Sequence, residues 1–103
     1  NTLENKYSVE LLPRAYRDLD GIYAYIAETL IEPDIASKLV DSLEEAIFSL
    51  ESMPRRGALR KTGSYANKGY RQLFVDNFTV LYRVAEAKKR VLVVTVQYSK
   101  SKL

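Results

Sequence analysis

The order of apolar and polar positions predicts one strand and two helices in the first half of the chain. Residues 7–12 alternate between polar and apolar side chains, which is typical of a strand. Across residues 14–30 the apolar positions recur at the three- and four-residue spacing of one helix face, and Pro13 suits a first helical turn. The same spacing predicts a second helix from Pro33 to about Met53.

A short break separates the two predicted helices. Residues 31–33 interrupt the apolar spacing, and so few residues between two amphipathic helices predict an antiparallel hairpin. Tyr16, Tyr23 and Tyr25 lie in the first helix, and we interpret all three as packing residues. The hairpin is therefore expected to bury its apolar stripes against a sheet.

The second half of the chain predicts a basic loop over residues 54–69, followed by three strands. These strands are Tyr70–Val75, Phe78–Val84 and Val91–Tyr98. The intervening Asp76-Asn77 pair suits a two-residue hairpin turn, since asparagine tolerates the positive φ that such turns need.

This turn sets the register of the hairpin, pairing Val75 with Phe78 and Arg71 with Tyr82. One face should then pack on the helices through Leu73, Val75, Phe78 and Val80. The opposite face is mixed polar and aromatic and is the candidate working surface, with Tyr70, Gln72, Phe74, Thr79, Leu81 and Arg83. A slip of one residue would exchange the two faces.

Together these elements predict an α+β fold in one domain over residues 1–103. The expected order is an N-terminal strand, an antiparallel helix hairpin and a three-stranded antiparallel sheet, with four strands in all. At 103 residues the chain supports one modest hydrophobic core.

The absence of histidine and cysteine narrows the possible chemistry. It removes the usual neutral-pH base, thiolate metal sites and every Ser-His or Cys-His arrangement. We therefore expect neither a metal site nor a cofactor. No unbroken apolar run, Val91–Val94 included, is long enough to span a membrane, and no secretory signal is recognisable. These features favour a cytoplasmic protein without membrane contact.

Charge divides the chain sharply. Residues 1–53 carry four basic and eleven acidic side chains, whereas residues 54–103 carry twelve basic and two acidic ones. Net charges of −7 and +10 follow. A half this basic is typical of a surface that meets a polyanion or an acidic partner, although the acidic half could simply balance it.

Three stretches of sequence, in this order, resemble the RelE/ParE toxin superfamily. They are the strand, proline and helix start over 7–17, the Pro54-Arg55-Arg56-Gly57 turn, and the strand Asn77-Phe78-Thr79-Val80-Leu81-Tyr82-Arg83-Val84. With the last strand and its Gln97–Lys100 exit, the resemblance spans about residues 7–101. It implies the toxin of a type II toxin–antitoxin module, held in a heteromeric complex by a cognate antitoxin.

The superfamily implies two different activities. RelE-like members cleave mRNA on the ribosome, whereas ParE-like members inhibit DNA gyrase. For a nuclease, the candidate catalytic residues are Arg71, Arg83, Tyr98 and Lys100. The arginine positions of the nuclease branch nevertheless read Thr79 and Ser101 here, and one paired basic position reads Leu73. Whether the chain is an enzyme is left open at this point.

The basic loop supplies a second group of candidates, which would bind the target or a nucleic acid. Its members are Arg55, Arg56, Arg60, Lys61 and Lys68. Each candidate also has a structural interpretation: Arg71 and Arg83 could pair with carboxylates on the sheet surface, and Tyr98 could be an edge or core residue. Arg55 and Arg56 could simply complete the turn after the second helix.

Three functions remain, and the sequence ranks them. A gyrase inhibitor is favoured over a ribosome-dependent endoribonuclease, because Leu73, Thr79 and Ser101 replace expected cations. A basic nucleic-acid-binding module without toxicity is the third, and the full-length resemblance disfavours it. For either toxin, we expect the antitoxin to lay a segment along the helix hairpin and the sheet.

Overall fold

The computed structural model describes residues 6–100, which form two helices against one mixed sheet. The strands are β1 (Ser8–Leu11), β2 (Ala58–Leu59), β3 (Tyr70–Val75), β4 (Phe78–Ala85) and β5 (Arg90–Tyr98). The helices are α1 (Pro13–Ala24), continued by a π-helical turn at Tyr25–Thr29, and α2 (Pro33–Phe48), continued by a 3-10 turn at Ser49–Glu51. No helix in the described part of the chain is both long enough and apolar enough to cross a membrane.

The sheet has five strands in the order β1-β5-β4-β3-β2. β1 runs parallel to β5, and the other neighbours are antiparallel. The α+β class and order of elements are confirmed, but the predicted count of four strands is wrong. The extra strand β2 lies inside the expected basic loop and pairs Ala58 with Gln72 and Leu59 with Arg71. A two-residue strand is too short to produce a period in the sequence.

The predicted hairpin register is confirmed. Val75 pairs with Phe78 and Arg71 with Tyr82 across the 76–77 turn. Within this turn, Asp76 is the residue that adopts a positive φ, at 51°. Aspartate, like asparagine, tolerates the left-handed region. As predicted, the helix-facing side of the hairpin carries Val80 at the centre of the core, together with Leu73, Val75 and Phe78 at its margin.

The predicted working surface on the other face is partly closed. Thr79 and Leu81 belong to it by register, yet both are buried, at 2% and 0% exposure. Thr79 Oγ1 lies 3.0 Å from Ser99 Oγ, and Ser99 N–H donates to Asn77 C=O at 2.7 Å. Ser99, just after β5, is thus hydrogen-bonded to the start of β4. The alternation of apolar and polar residues could not indicate this contact.

A β-bulge in β5 connects the sheet to α1. The register of β4 with β5 shifts between Leu81 and Tyr82, which pair with Thr95 and Val93. Asp18 of α1 accepts hydrogen bonds from Thr95 Oγ1 and from Val96 N–H, the latter at 3.0 Å. The carboxylate thereby joins α1 to β5 beside the bulge.

The tyrosines of the helix hairpin are not packing residues, which corrects the sequence prediction. Tyr16, Tyr23 and Tyr25 remain 59%, 41% and 57% exposed. From α1 the fully buried residues are Ala15 and Leu19, so the buried stripe is narrower than the apolar stripe in the sequence. The surplus apolar surface lies outside the core.

Candidate functional site

The basic turn, residues 54–57, is built around a buried glycine and a buried tyrosine. Tyr82 is fully buried, and its hydroxyl accepts a hydrogen bond from Gly57 N–H at 2.9 Å. A Cβ added to Gly57 would lie 2.6 Å from the Gln72 carbonyl oxygen and 2.8 Å from the Tyr82 hydroxyl. Only glycine therefore fits here. Burial raises the pKa of the Tyr82 hydroxyl, and the hydrogen bond from Gly57 and the charges of Arg71 and Arg56 oppose that rise.

Arg71 belongs to this turn rather than to an open surface. Its Nη1 donates to the Gly57 carbonyl at 2.7 Å and to the Arg55 carbonyl at 3.4 Å. A guanidinium placed between two carbonyls stabilises the turn, since hydrogen bonds from charged donors are stronger than neutral ones. Arg71 therefore stabilises the turn through contacts within the molecule, and this role needs no bound phosphate.

Arg55 is engaged as well. It forms an ion pair with Glu86, whose other carboxylate oxygen accepts a hydrogen bond from the Tyr7 hydroxyl at 2.7 Å. Glu86 follows β4 and Tyr7 precedes β1, so this carboxylate joins three separate segments of the chain. The sequence prediction did not single out Glu86, although one of only two acidic residues in residues 54–103 could have been expected to have a specific partner.

Arg56 and Arg60 also make internal contacts. Arg56 Nη1 donates to Ser49 Oγ at 2.6 Å, which joins the turn to the end of α2. Arg60 donates to Gln72 Oε1 at 2.6 Å and to the Thr62 carbonyl at 2.9 Å. Much of the positive charge in the second half of the chain is therefore used to hold the loop against the sheet.

The remaining candidate cations point into solvent. Lys61, Lys68, Arg83 and Lys100 are exposed or nearly so, and none forms an ion pair or side-chain hydrogen bond with another described residue. Arg83 lies directly across from Tyr70, whose ring packs edge-on against Tyr65 at 4.9 Å between centroids. These cations remain available to bind a partner.

The four nuclease candidates do not converge. Arg71 and its cross-strand partner Tyr82 lie on the helix-facing side of the sheet. Arg83, the residue after Tyr82 in β4, projects from the opposite face. Tyr98 pairs with Phe78, four residues along β4 from Tyr82, or about 13 Å at 3.3 Å per residue. Lys100 follows the end of β5, so no point lies close to all four side chains.

Tyr98 packs against an apolar ring rather than lying beside groups that could act with it in catalysis. Its ring packs edge-on against Phe78 at 5.8 Å, and it remains 43% exposed. Thr79, in the position where a nuclease would carry arginine, is held by Ser99 through the hydroxyl contact described above. Ser101, the other replaced position, lies outside the described residues.

Two of the grooves on the helix side flank α1. One, of about 420 Å³, lies between α1 and α2, and its rim includes Tyr16, Tyr23 and Phe48. The other, of about 690 Å³, lies between α1 and the edge where β4 begins and β5 ends, with Ile22, Val96 and Tyr98 in its lining. Both are predominantly apolar, as expected of surfaces that receive another polypeptide. Among the described residues there is no cluster of three carboxylates able to hold a metal ion.

The fold matches that of toxins in solved toxin–antitoxin systems. A chain of the chromosomal ParDE system from P. aeruginosa is 26% identical, with a TM-score of 0.76, and the match covers 93% of this chain and 99% of that one. A chain of the RelBE2 complex from Mycobacterium tuberculosis is 21% identical, with a TM-score of 0.65, covering 90% and 98%. A mutant of the E. coli toxin RelE in the free state is 13% identical, with a TM-score of 0.62, covering 92% and 85%. These last two show the fold alone.

The family follows from the sequence as a whole. The family model for the ParE toxin of the type II toxin–antitoxin system parDE matches residues 9–102 of this chain. The chain belongs to this family of toxins, which confirms the predicted membership of the RelE/ParE superfamily on its ParE side. No curated protein matches the chain at a significant level.

Proposed function

We propose that this toxin arrests growth by binding and inhibiting DNA gyrase, and that it does not cleave RNA. One observation carries the proposal: the side chains that would form a nuclease centre lie on opposite faces and at different ends of the sheet. RNA cleavage needs preorganised cations around a single scissile phosphate, and each such group contributes about 3–4 kcal/mol to the transition state. Arg71 is already bonded to two carbonyls, and Thr79 carries no charge.

A binding role fits the available surface better. Lys61, Lys68 and Arg83 are exposed without ion-pair partners in the described chain, so they can meet an acidic surface without losing internal contacts. Replacing such cations singly should reduce toxicity gradually, because solvent-exposed charges contribute little individually. The Arg55-Arg56 pair is expected to act in part through the stability of the basic turn.

A cognate antitoxin is the second proposed partner. The two grooves flanking α1 could accommodate one amphipathic segment, helical or extended, whose apolar side chains cover Tyr16, Tyr23 and Phe48. Such a segment would form a heteromeric complex with the toxin in the cytoplasm, where gyrase also acts. The similar chain from P. aeruginosa comes from a ParDE toxin–antitoxin system, which supports a partner of this kind.

The test compares two purified assays. We expect the wild-type toxin to inhibit supercoiling by purified gyrase and to leave mRNA intact in a purified translation system. Arg71→Ala should alter neither result beyond its effect on the amount of folded protein. Codon-specific mRNA cuts that disappear in Arg71→Ala or Tyr98→Phe, with supercoiling unaffected, would establish the RelE-like alternative instead.

A further inference from the structure

The hairpin tip, residues 25–35, is the part of the molecule whose apolar side chains have least to do with the core. Four large apolar residues there are exposed, and they are Tyr25, Leu30, Ile31 and Ile35. Ile31 is 78% exposed, the highest value among the large apolar side chains of the described chain. An exposed cluster of this kind is typical of a surface that binds another molecule.

The backbone of the hairpin tip is also unusual. α1 gives way to a π-helical turn at Tyr25–Thr29, and Ile31 then adopts a φ of 56°. A left-handed conformation is unfavourable for any β-branched residue, and π-helical turns are frequent at functional sites. Glycine or asparagine would satisfy this backbone at lower cost, so the fold does not explain an isoleucine here.

The charge of the hairpin tip restricts what can cover it. Residues 25–35 contain Glu28, Glu32 and Asp34 and no lysine or arginine. All three carboxylates are exposed, and none forms an ion pair within the described residues. Nucleic acid and anionic lipid would be repelled by them. A second copy of the chain would have to offer its exposed Lys61, Lys68 or Arg83, and none of these lines either apolar groove described above.

We propose that the hairpin tip is a second surface, besides the exposed cations, that engages the toxin's protein target, with Ile31 inserted into an apolar pocket bordered by lysine or arginine. This rests on the proposed function in that the target is taken to be gyrase. Ile31 lines neither groove described above, so an antitoxin in those grooves would leave its side chain free. Tyr25 and Leu30 do line the second groove, so Ile31 and Ile35 are the tip residues that an antitoxin in the two grooves would leave to the target.

The decisive variant is Ile31→Gly. Glycine adopts a φ of 56° without steric cost, so this change removes the side chain while relieving the backbone. We expect affinity for purified gyrase to fall roughly 10- to 100-fold, as for loss of one buried aliphatic side chain. The melting temperature should stay unchanged or rise, and antitoxin binding should be preserved. Ile31→Leu, which retains the apolar bulk, should retain most of the affinity.

Two matched controls isolate the effect. Asn67→Gly makes the same kind of backbone change at another residue with positive φ, here 58°, and should bind like wild type. Glu28→Lys should weaken gyrase binding several-fold, because it opposes the expected cationic border. Glu45→Lys, an equally exposed carboxylate in the last turns of α2, should leave binding unchanged.

The outcomes separate the two proposals. If wild-type toxin arrests growth without affecting gyrase, the proposed function fails, and the hairpin tip is judged by whether Ile31→Gly relieves growth arrest. The tip proposal is overturned if Ile31→Gly arrests growth like wild type, or if its weaker binding accompanies a lower melting temperature. It is equally overturned if the substitution acts by dissociating a toxin dimer or by abolishing binding to anionic vesicles.

Discussion

The basic turn and the hairpin tip lie at opposite ends of α2, which at 16 residues and 1.5 Å per residue is about 24 Å long. The basic turn is rich in charge, yet its arginines donate to carbonyls, a hydroxyl and a carboxylate of the same molecule. The hairpin tip has a strained backbone and apolar side chains in solvent. The contrast teaches that a conspicuous charge cluster can serve the fold, while less conspicuous apolar residues remain available for binding.

The largest effect is expected at Gly57, within the basic turn. Gly57→Ala places a Cβ 2.6 Å from a backbone oxygen, which cannot move as a flexible side chain can. We expect a loss of about 3 kcal/mol in the free energy of unfolding, at the upper end of overpacking effects. Urea denaturation would measure it. A loss below about 0.5 kcal/mol would mean that the turn is not held in place as described.

The next effect concerns the Tyr82 hydroxyl and the way in which stability depends on pH. Burial raises its pKa in the folded protein, so the native state retains the hydroxyl proton more firmly than the unfolded state does. By linkage, the stabilisation is complete below the unfolded value near 10 and is lost as pH rises through the folded value. Tyr82→Phe should lower stability by about 1 kcal/mol at neutral pH through loss of the hydrogen bond to Gly57. Equal alkaline slopes in wild type and Tyr82→Phe would refute the assignment.

An effect of similar size separates two arginines that lie on adjacent strands but differ in their contacts. Arg71→Gln removes bonds to two carbonyls and should cost about 1–2 kcal/mol, less than a fully buried charged bond because Arg71 is only half-buried. Arg83→Gln should change stability by less than about 0.5 kcal/mol, as it has no partner within the described residues. Thermal or urea denaturation of both variants provides the comparison. Identical losses would mean that the contacts of Arg71 do not stabilise the turn.

The smallest effect has the opposite sign. Gly21 lies in α1, and no atom lies within 4 Å of the position its Cβ would occupy. Gly21→Ala should therefore stabilise the protein by up to about 1 kcal/mol, the difference in helix propensity. The same glycine-to-alanine exchange is thus expected to stabilise at one position and destabilise at another. A destabilised Gly21→Ala, measured by urea denaturation, would show that the first helix does not tolerate the added methyl group.

The sequence predicted those features of the fold that depend on the regular spacing of apolar residues and on turn residues. Apolar spacing located both helices, and the Asp76-Asn77 pair gave the register that places Val80 and Tyr82 in the core. β2 was missed because two residues have no period. Tyr16, Tyr23 and Tyr25 were misjudged because apolar spacing gives the width of a stripe, not how much of it the sheet can cover.

The candidate site was predicted less well, because its contacts join residues far apart in the sequence. Composition marks the basic segment correctly but cannot tell that Arg71 bonds to Gly57 or that Arg55 pairs with Glu86. The left-handed Ile31 has no signature at all, since isoleucine is not a residue that favours this conformation. Whether the exposed cations Lys61, Lys68 and Arg83 bind a target stays a prediction.

The parallel pairing of β1 with β5 has a consequence for the newly synthesised toxin. Ser8 pairs with Arg90 and Leu11 with Val93, so the first strand finds its neighbour only after the intervening residues 12–89 have been made. Contacts of such long sequence separation form late and slow folding. On the ribosome the helix hairpin would therefore emerge without the strands it packs against, and the sheet would be complete only once β5 has emerged. The groove between α1 and the end of β5 would likewise take its final form only then.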